Sequence, residues 1–282
     1  MSSAPVTVRE FVTNDGVTLR YHEAGAGRPL VMIPGWSQSA QQFKYQLEGL
    51  ADRYRVLAVD MRGHGDSDKP TYGYRISRMA KDVYELLAHL DLQDVAILGH
   101  SMGSSIIWSY YDLFGPERLA KLIIADQAPA VMVNPDWSEE EKLAAGAIFT
   151  AESLLGTCSA LAGPDGAAVT AGFIGGMVTG ACPPETTAWM VERNMLMPRA
   201  YAAALLLNHC MQDWRDVIRR INLPTLIVGG RVSIFPWQSQ EWIAQQIPGA
   251  RVEIFEEEEG GQHFAFVEGY PRFNQLVADF IG

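Results

Sequence analysis

The chain has 282 residues, 48% of them hydrophobic and 20% charged, with a formal net charge of -11 and a pI of about 5.0. A chain of this length folds as one large domain or one domain carrying an insertion. It buries about three quarters of its unfolded surface, so neither a disulfide nor a metal is needed to hold it. The acidic balance makes nucleic acid and anionic membrane poor partners, because nothing offsets the phosphate charge.

The N-terminal stretch MSSAPVTVREF has no apolar leader segment, and no apolar run reaches the ~20 residues needed to span a bilayer. The expected location is cytoplasmic. Cys158, Cys182 and Cys210 are widely spaced and fit no metal-ligand pattern, so free thiols are expected. Two short runs, 8–13 and 17–23, flank NDG at 14–16, a strong hairpin signal. PLVMIP at 29–34 is a continuous apolar run that ends in Pro-Gly. Phe43, Leu47 and Leu50 then take a helical spacing.

RVLAVD at 55–60 reads as a buried strand. Residues 76–90 read as a helix with Met79, Val83, Leu86, Leu87 and Leu90 on one side. VAILG at 95–99 is strand-like, 101–115 is helical and closes on a glycine, and LIIAD at 122–126 is strand-like. The rhythm resumes with PTLIVGG at 224–230, a helix over 238–247, RVEIF at 251–255 and a last helix over 271–280. Buried strands alternating with amphipathic helices predict an α/β fold, a mostly parallel sheet flanked by helices on both faces.

Between 130 and 215 the rhythm is lost. Helical pieces are expected over 139–150, 186–197 and 201–219, joined by connectors such as GPDGAA and GGMVTGACPP. The predicted organisation is therefore a core of residues 1–129 and 216–282, with a helical cap, or lid, over 130–215. The run Glu256–Glu259 is expected to be a solvated loop.

Gly99-His100-Ser101-Met102-Gly103 fits GxSxG and lies where a strand becomes a helix. That context turns a common pattern into a nucleophile hypothesis: the serine sits in a strained turn with its hydroxyl projecting from the sheet. The helix start adds a field that favours developing negative charge. Pro34-Gly35-Trp36 follows the first parallel-type strand. A tetrahedral intermediate needs two backbone N–H donors, and Trp36 and Met102 are placed to supply them. His263 lies in GGQHF, a glycine-rich loop after RVEIF, and is the candidate general base. Among the other histidines, His64 belongs to the loop RGHGDS, His100 to the serine turn, and His209 to the insertion, where it could line a pocket.

Together, the opening hairpin, PGW, DMRGHGDSDKP at 60–70, GHSMG at 99–103 and the histidine loop at 260–264 resemble the α/β-hydrolase fold family over almost the whole chain. That family includes esterases, lactonases, C–C hydrolases, perhydrolases, dehalogenases, epoxide hydrolases and a few cofactor-free dioxygenases. A serine nucleophile argues against dehalogenases and epoxide hydrolases, which use aspartate there.

The resemblance also exposes a gap. Most of the family carries an aspartate after the strand corresponding to 224–230, but GGRVSIFP offers only Val232 or Ser233. Parallel strands end on one edge of the sheet, so Asp126, at the end of LIIAD, could reach His263 from the neighbouring strand. Some family members, including haloalkane dehalogenases and cofactor-free quinolone dioxygenases, take their acid from this strand. Asp60 and a bare Ser101–His263 dyad remain the alternatives.

The apolar insertion implies a hydrophobic pocket, for which Phe149, Met177, Trp189 and, beside the histidine, Phe264 are the expected lining residues. The expected reaction is hydrolysis of an ester or lactone of a hydrophobic small molecule through an acyl-enzyme on Ser101. No cofactor and no metal are expected, and a homodimer is compatible with this reading. The competing expectations are a cofactor-free dioxygenase of a 3-hydroxy-4-quinolone with His263 as base, in which the elbow often carries a second histidine where Met102 stands here, and a low-turnover ligand receptor.

Overall fold

The computed structural model describes residues 5–282. The first four residues lie outside them, and with them part of the N-terminal stretch MSSAPVTVREF. In chain order the elements are β1 (Thr7–Val12), β2 (Thr18–Ala24), β3 (Pro29–Ile33), α1 (Lys44–Gly49), β4 (Arg55–Asp60), α2 (Ile76–His89), β5 (Val95–His100), α3 (Met102–Phe114) and β6 (Leu119–Ala125). Six helices follow before the sheet resumes: α4 (Glu139–Ala145), α5 (Ala151–Ala162), α6 (Gly166–Gly175), α7 (Pro184–Asn194), α8 (Arg199–Cys210) and α9 (Arg215–Ile218). Then come β7 (Thr225–Gly230), α10 (Trp237–Gln246), β8 (Arg251–Phe255), α11 (Ala265–Glu268) and α12 (Tyr270–Ile281).

The eight strands form one sheet in the order β1-β2-β4-β3-β5-β6-β7-β8. β1 and β2 pair antiparallel, as does β2 with β4; every other neighbour pair is parallel. The inner strands are buried on both faces, and their period of two divides the core. Val31, Ile33, Leu57, Val59 and Ile97 pack with α2 and α3 on one side. Leu30, Met32, Val56, Ala58 and Leu98 pack with α1 and α12 on the other. α2 shows how the helices are specified: Ile76, Met79, Ala80, Val83, Leu86 and Leu87 are buried at three- and four-residue spacing.

The insertion differs from its expected helices in three ways. The helix expected over 139–150 stops at Ala145, because Gly146 takes the left-handed conformation (φ 71°) and caps it. The helix expected over 201–219 breaks after Cys210, where the Trp214 N–H donates to the Pro129 carbonyl (2.9 Å) and Ala130 bridges Asp213. Two helices, α5 and α6, fill stretches with no helical period in the sequence. α5 is started by a capping box between Thr150 and Ser153. α6, GAAVTAGFIG, has no apolar stripe; it is held because a Cβ at Gly166 would overlap the Leu161 carbonyl, so the two helices meet closely.

Candidate active site

Ser101 sits between β5 and α3 with φ 52° and ψ −127°, a conformation a non-glycine residue holds only when its surroundings enforce it. The glycines two residues away permit this. A Cβ at Gly99 would overlap the backbone of Gly103 and Ser104, and one at Gly103 would overlap the Ile33 carbonyl on β3. Ser101 is therefore wedged at the sheet edge with its side chain facing the cavity beneath the inserted helices.

His263 lies between β8 and α11, and its Nδ1 is 2.6 Å from Asp126 Oδ2. Asp126 ends the β6 segment, also at positive φ (50°), and its N–H donates to the Val228 carbonyl of β7 (2.7 Å). Two further donors hold its carboxylate: the Gly230 N–H reaches Oδ1 (3.2 Å), and the Ser233 hydroxyl donates to Oδ2. Ser233 is the residue at the gap in GGRVSIFP. The loop after β7 thus carries a donor to the Asp126 carboxylate and no carboxylate of its own. An imidazole whose Nδ1–H is held by a carboxylate presents the lone pair of Nε2, and His263 lines the same cavity as Ser101.

The histidine loop is anchored from the serine turn. His100, fully buried and with burial holding its pKa well below the ordinary histidine value, donates from Nε2 to the His263 carbonyl (2.7 Å). The PGW turn is braced in the same way. Ser37, at φ 59°, donates its N–H to His64 Nε2 (3.1 Å), while His64 Nδ1 donates to the Arg62 carbonyl (2.9 Å). A Cβ on Gly35 would stand 3.0 Å from Ser101 Cβ, so this turn lies directly against the serine. Among the described residues, neither the Trp36 nor the Met102 backbone N–H has a protein acceptor. Both are available to an anionic oxygen beside Ser101.

Asp60 is committed elsewhere: its two oxygens accept the Ala40 N–H (2.6 Å) and the Asp66 N–H (2.9 Å). With His22 and Asp66 it brings possible metal-ligand atoms within 4.8 Å of one another.

A family model described as the alpha/beta hydrolase fold matches residues 28–150. A bromoperoxidase from Bacillus anthracis superimposes with a TM-score of 0.88 over 98% of this chain and 99% of its own, at 22% identity. An esterase from Exiguobacterium antarcticum does so with a TM-score of 0.88 over 100% of this chain and 99% of its own, at 26% identity. The chain has the α/β-hydrolase fold. A non-heme chloroperoxidase of Kitasatospora aureofaciens is 29% identical across 95% of this chain and 98% of its own length.

Within this hydrolase fold the cavity has a volume of about 190 Å³ and is mostly apolar. Of the expected lining residues, Phe149 and Met177 face it. Trp189 does not: it lies on the outer side of α7 beneath the Lys44 ammonium, 4.2 Å from its ring centre. Phe264 does not line it either. It is fully buried, its ring 5.2 Å from those of His100 and His263, where it packs the histidine loop against the sheet. α7, PETTAWMVERN, buries Met190 and Asn194, while Trp189 is only partly buried.

The sequence reading missed Gln38, Ile148, Ile234 and Phe235, which also line the cavity. Phe235 stands edge-on to His263 at 5.6 Å. The signal available for the last two was their place after a parallel strand, at the edge where ligands bind. His209 lines the cavity, as its place in the insertion allowed. The three cysteines are free, and burial pushes the Cys210 thiol, on the cavity wall, well above its ordinary pKa. No helix among the described residues is long and apolar enough to cross a membrane.

Proposed function

We propose that this protein is a serine hydrolase of carboxylic esters or lactones of hydrophobic small molecules. The observation that carries the reading is the His263–Asp126 pair, 2.6 Å apart, on the same cavity as the strained Ser101. In this reading Ser101 Oγ attacks the substrate carbonyl carbon while His263 Nε2 takes its proton. The Trp36 and Met102 N–H groups receive the resulting oxyanion. His263 then protonates the departing alcohol oxygen, and the acyl group stays on Ser101. Water, deprotonated by the same nitrogen, releases the acid and restores the serine. Asp126 holds the imidazole in the required tautomer and stabilises its protonated form.

The inserted helices over 130–215 act as the cap on this cavity. They are pinned to the core where Trp36 Nε1 donates to the Ala202 carbonyl (2.7 Å) and the Ser37 hydroxyl to the Asn194 carbonyl (2.9 Å). The apolar wall makes the acyl or alcohol part of the substrate hydrophobic. The peroxidase names among the relatives make hydrogen peroxide an acceptor to try: in place of water it would turn the acyl-enzyme into a peracid.

A p-nitrophenyl ester series with wild type and Ser101→Ala tests the reading. The expected result is hydrolysis that falls by at least about a thousandfold in the variant. Equal rates in the two proteins would remove acyl transfer through Ser101. Ser233→Ala is expected to lower kcat by about tenfold, the scale of one hydrogen bond to a charged group. KM should stay close to wild type, because Ser233 does not line the cavity. An unchanged kcat would mean that Gly230 and His263 hold the acid by themselves.

The place of the acid after β6 favours one second reading, because the cofactor-free dioxygenases of 3-hydroxy-4-quinolones also take their acid from this strand. There His263 deprotonates the substrate and the carbanion reacts with O2. Oxygen uptake with a 3-hydroxy-4-quinolone, retained in Ser101→Ala, would select it.

A further inference from the structure

We propose that His209 is a specificity residue that donates a hydrogen bond to the substrate, so that the preferred ester or lactone carries a hydrogen-bond acceptor remote from its reacting carbonyl. This inference rests on the cavity being the ester site of the proposed function.

His209 lies near the end of α8 and lines the cavity, yet it is only 5% exposed. Its Nδ1 is fully buried with no hydrogen-bond partner. Nε2 has no protein partner among the described residues either, and it is not one of the fully buried atoms, so it is the nitrogen that reaches the cavity. The ring is neutral: burial, with His263 nearby, pulls its pKa down to about 4. A neutral imidazole carries one N–H. Placing that proton on Nδ1 would bury a donor with no acceptor, which costs more than burying an unused lone pair. The proton therefore belongs on Nε2, and His209 offers a donor to whatever fills the cavity.

The other polar groups on the wall are mostly committed. Trp36 Nε1 is bound to the Ala202 carbonyl, and Gln38 Oε1 accepts the Gly35 N–H (3.2 Å). Ser101 and His263 are assigned to the reacting carbonyl. A purely apolar occupant would leave His209 unpaired on both nitrogens, whereas a ketone, ether or second carbonyl would satisfy the one that faces the cavity.

The test uses p-nitrophenyl esters of equal chain length with and without a ketone, the ketone walked along the acyl chain one carbon at a time. Wild type is expected to prefer one ketone position over the plain chain by about tenfold in kcat/KM. In His209→Phe that ratio should fall to about one; in His209→Gln, whose amide keeps a donor, part of it should remain. A second measurement needs no turnover: binding of the matched ketone and plain carboxylate products to Ser101→Ala, with and without His209→Phe. Hydrolysis of every ester with the same ratio in wild type and His209→Phe would overturn the proposal. A binding preference that His209→Phe abolishes, in a protein that hydrolyses no ester, would uphold the recognition and overturn the hydrolase reading alone.

Discussion

Asp126→Asn is expected to lower kcat/KM toward an ester substrate by up to about four orders of magnitude, with the fold intact by circular dichroism. The reason lies in the donors around the carboxylate. The Gly230 N–H holds the oxygen at the Oδ1 position, so the new amide nitrogen takes the place of Oδ2, facing His263 Nδ1. The amide would then donate to Nδ1 and drive the ring proton onto Nε2, the atom that accepts the proton of Ser101 in the proposed mechanism. A rate within about tenfold of wild type would show that the pair is not needed and that a Ser101–His263 dyad carries the chemistry. The double variant Asp126→Asn with Ser233→Asp sharpens the test. Residue 233 already bonds the same oxygen that holds His263, so a carboxylate there should restore at least about tenfold of the lost rate. No recovery, alongside a large loss in the single variant, would place the whole requirement on the β6 position.

The second large effect is on stability. Arg62 is fully buried and forks onto Asp82, which is also fully buried: Nε to Oδ2 at 2.6 Å and Nη2 to Oδ1 at 2.7 Å. It also reaches Asp15, with both bonds at 3.1 Å. Arg62→Ala would leave the Asp82 carboxylate in the core with only Arg78 to pair it. Breaking one side of such a pair is expected to cost about 3–5 kcal/mol, read as a fall in the urea midpoint with an unchanged slope. A loss below about 1 kcal/mol would mean that water or Arg78 takes over the pairing.

The same network has a pH signature. Burial raises the Asp15 pKa, but the bonds from Arg62 and Thr13 outweigh it and hold the carboxyl down to about 2. A depressed acid contributes its stability above the ordinary carboxylate range and loses it as pH falls toward that value. Arg62→Ala should therefore flatten the acid limb of the stability curve as well as lower it.

The core elements were legible because each is written in a short window. Continuous apolar runs in both-face-buried strands, period 3.6 in α2, and NDG between two short runs all arise between near neighbours. GHSMG was legible for the same reason: close packing of backbone at Gly99 and Gly103 forbids side chains there. α6 was not legible, because an Ala- and Gly-rich helix is stabilised by what it touches and has no stripe to read. Trp189 misled because an aromatic side chain on a partly polar helix can pack beside a cation as well as in a pocket, and here it meets Lys44.

By itself the sequence determined the order of the elements, the turn that holds Ser101, the glycine-rich loop of His263 and the absence of an acid from GGRVSIFP. It also narrowed the acid to Asp126, Asp60 or none. Only the tertiary structure decided that Asp126 meets His263 while Asp60 is spent on backbone donors. That choice depends on β6 lying beside β7 in a register that brings the Asp126 N–H to the Val228 carbonyl. Only the structure, too, placed the Ser233 hydroxyl on the Asp126 carboxylate and His209 in the cavity wall. Local windows encode backbone preference and burial. Contacts between residues more than a hundred positions apart depend on strand order and register, which no window contains.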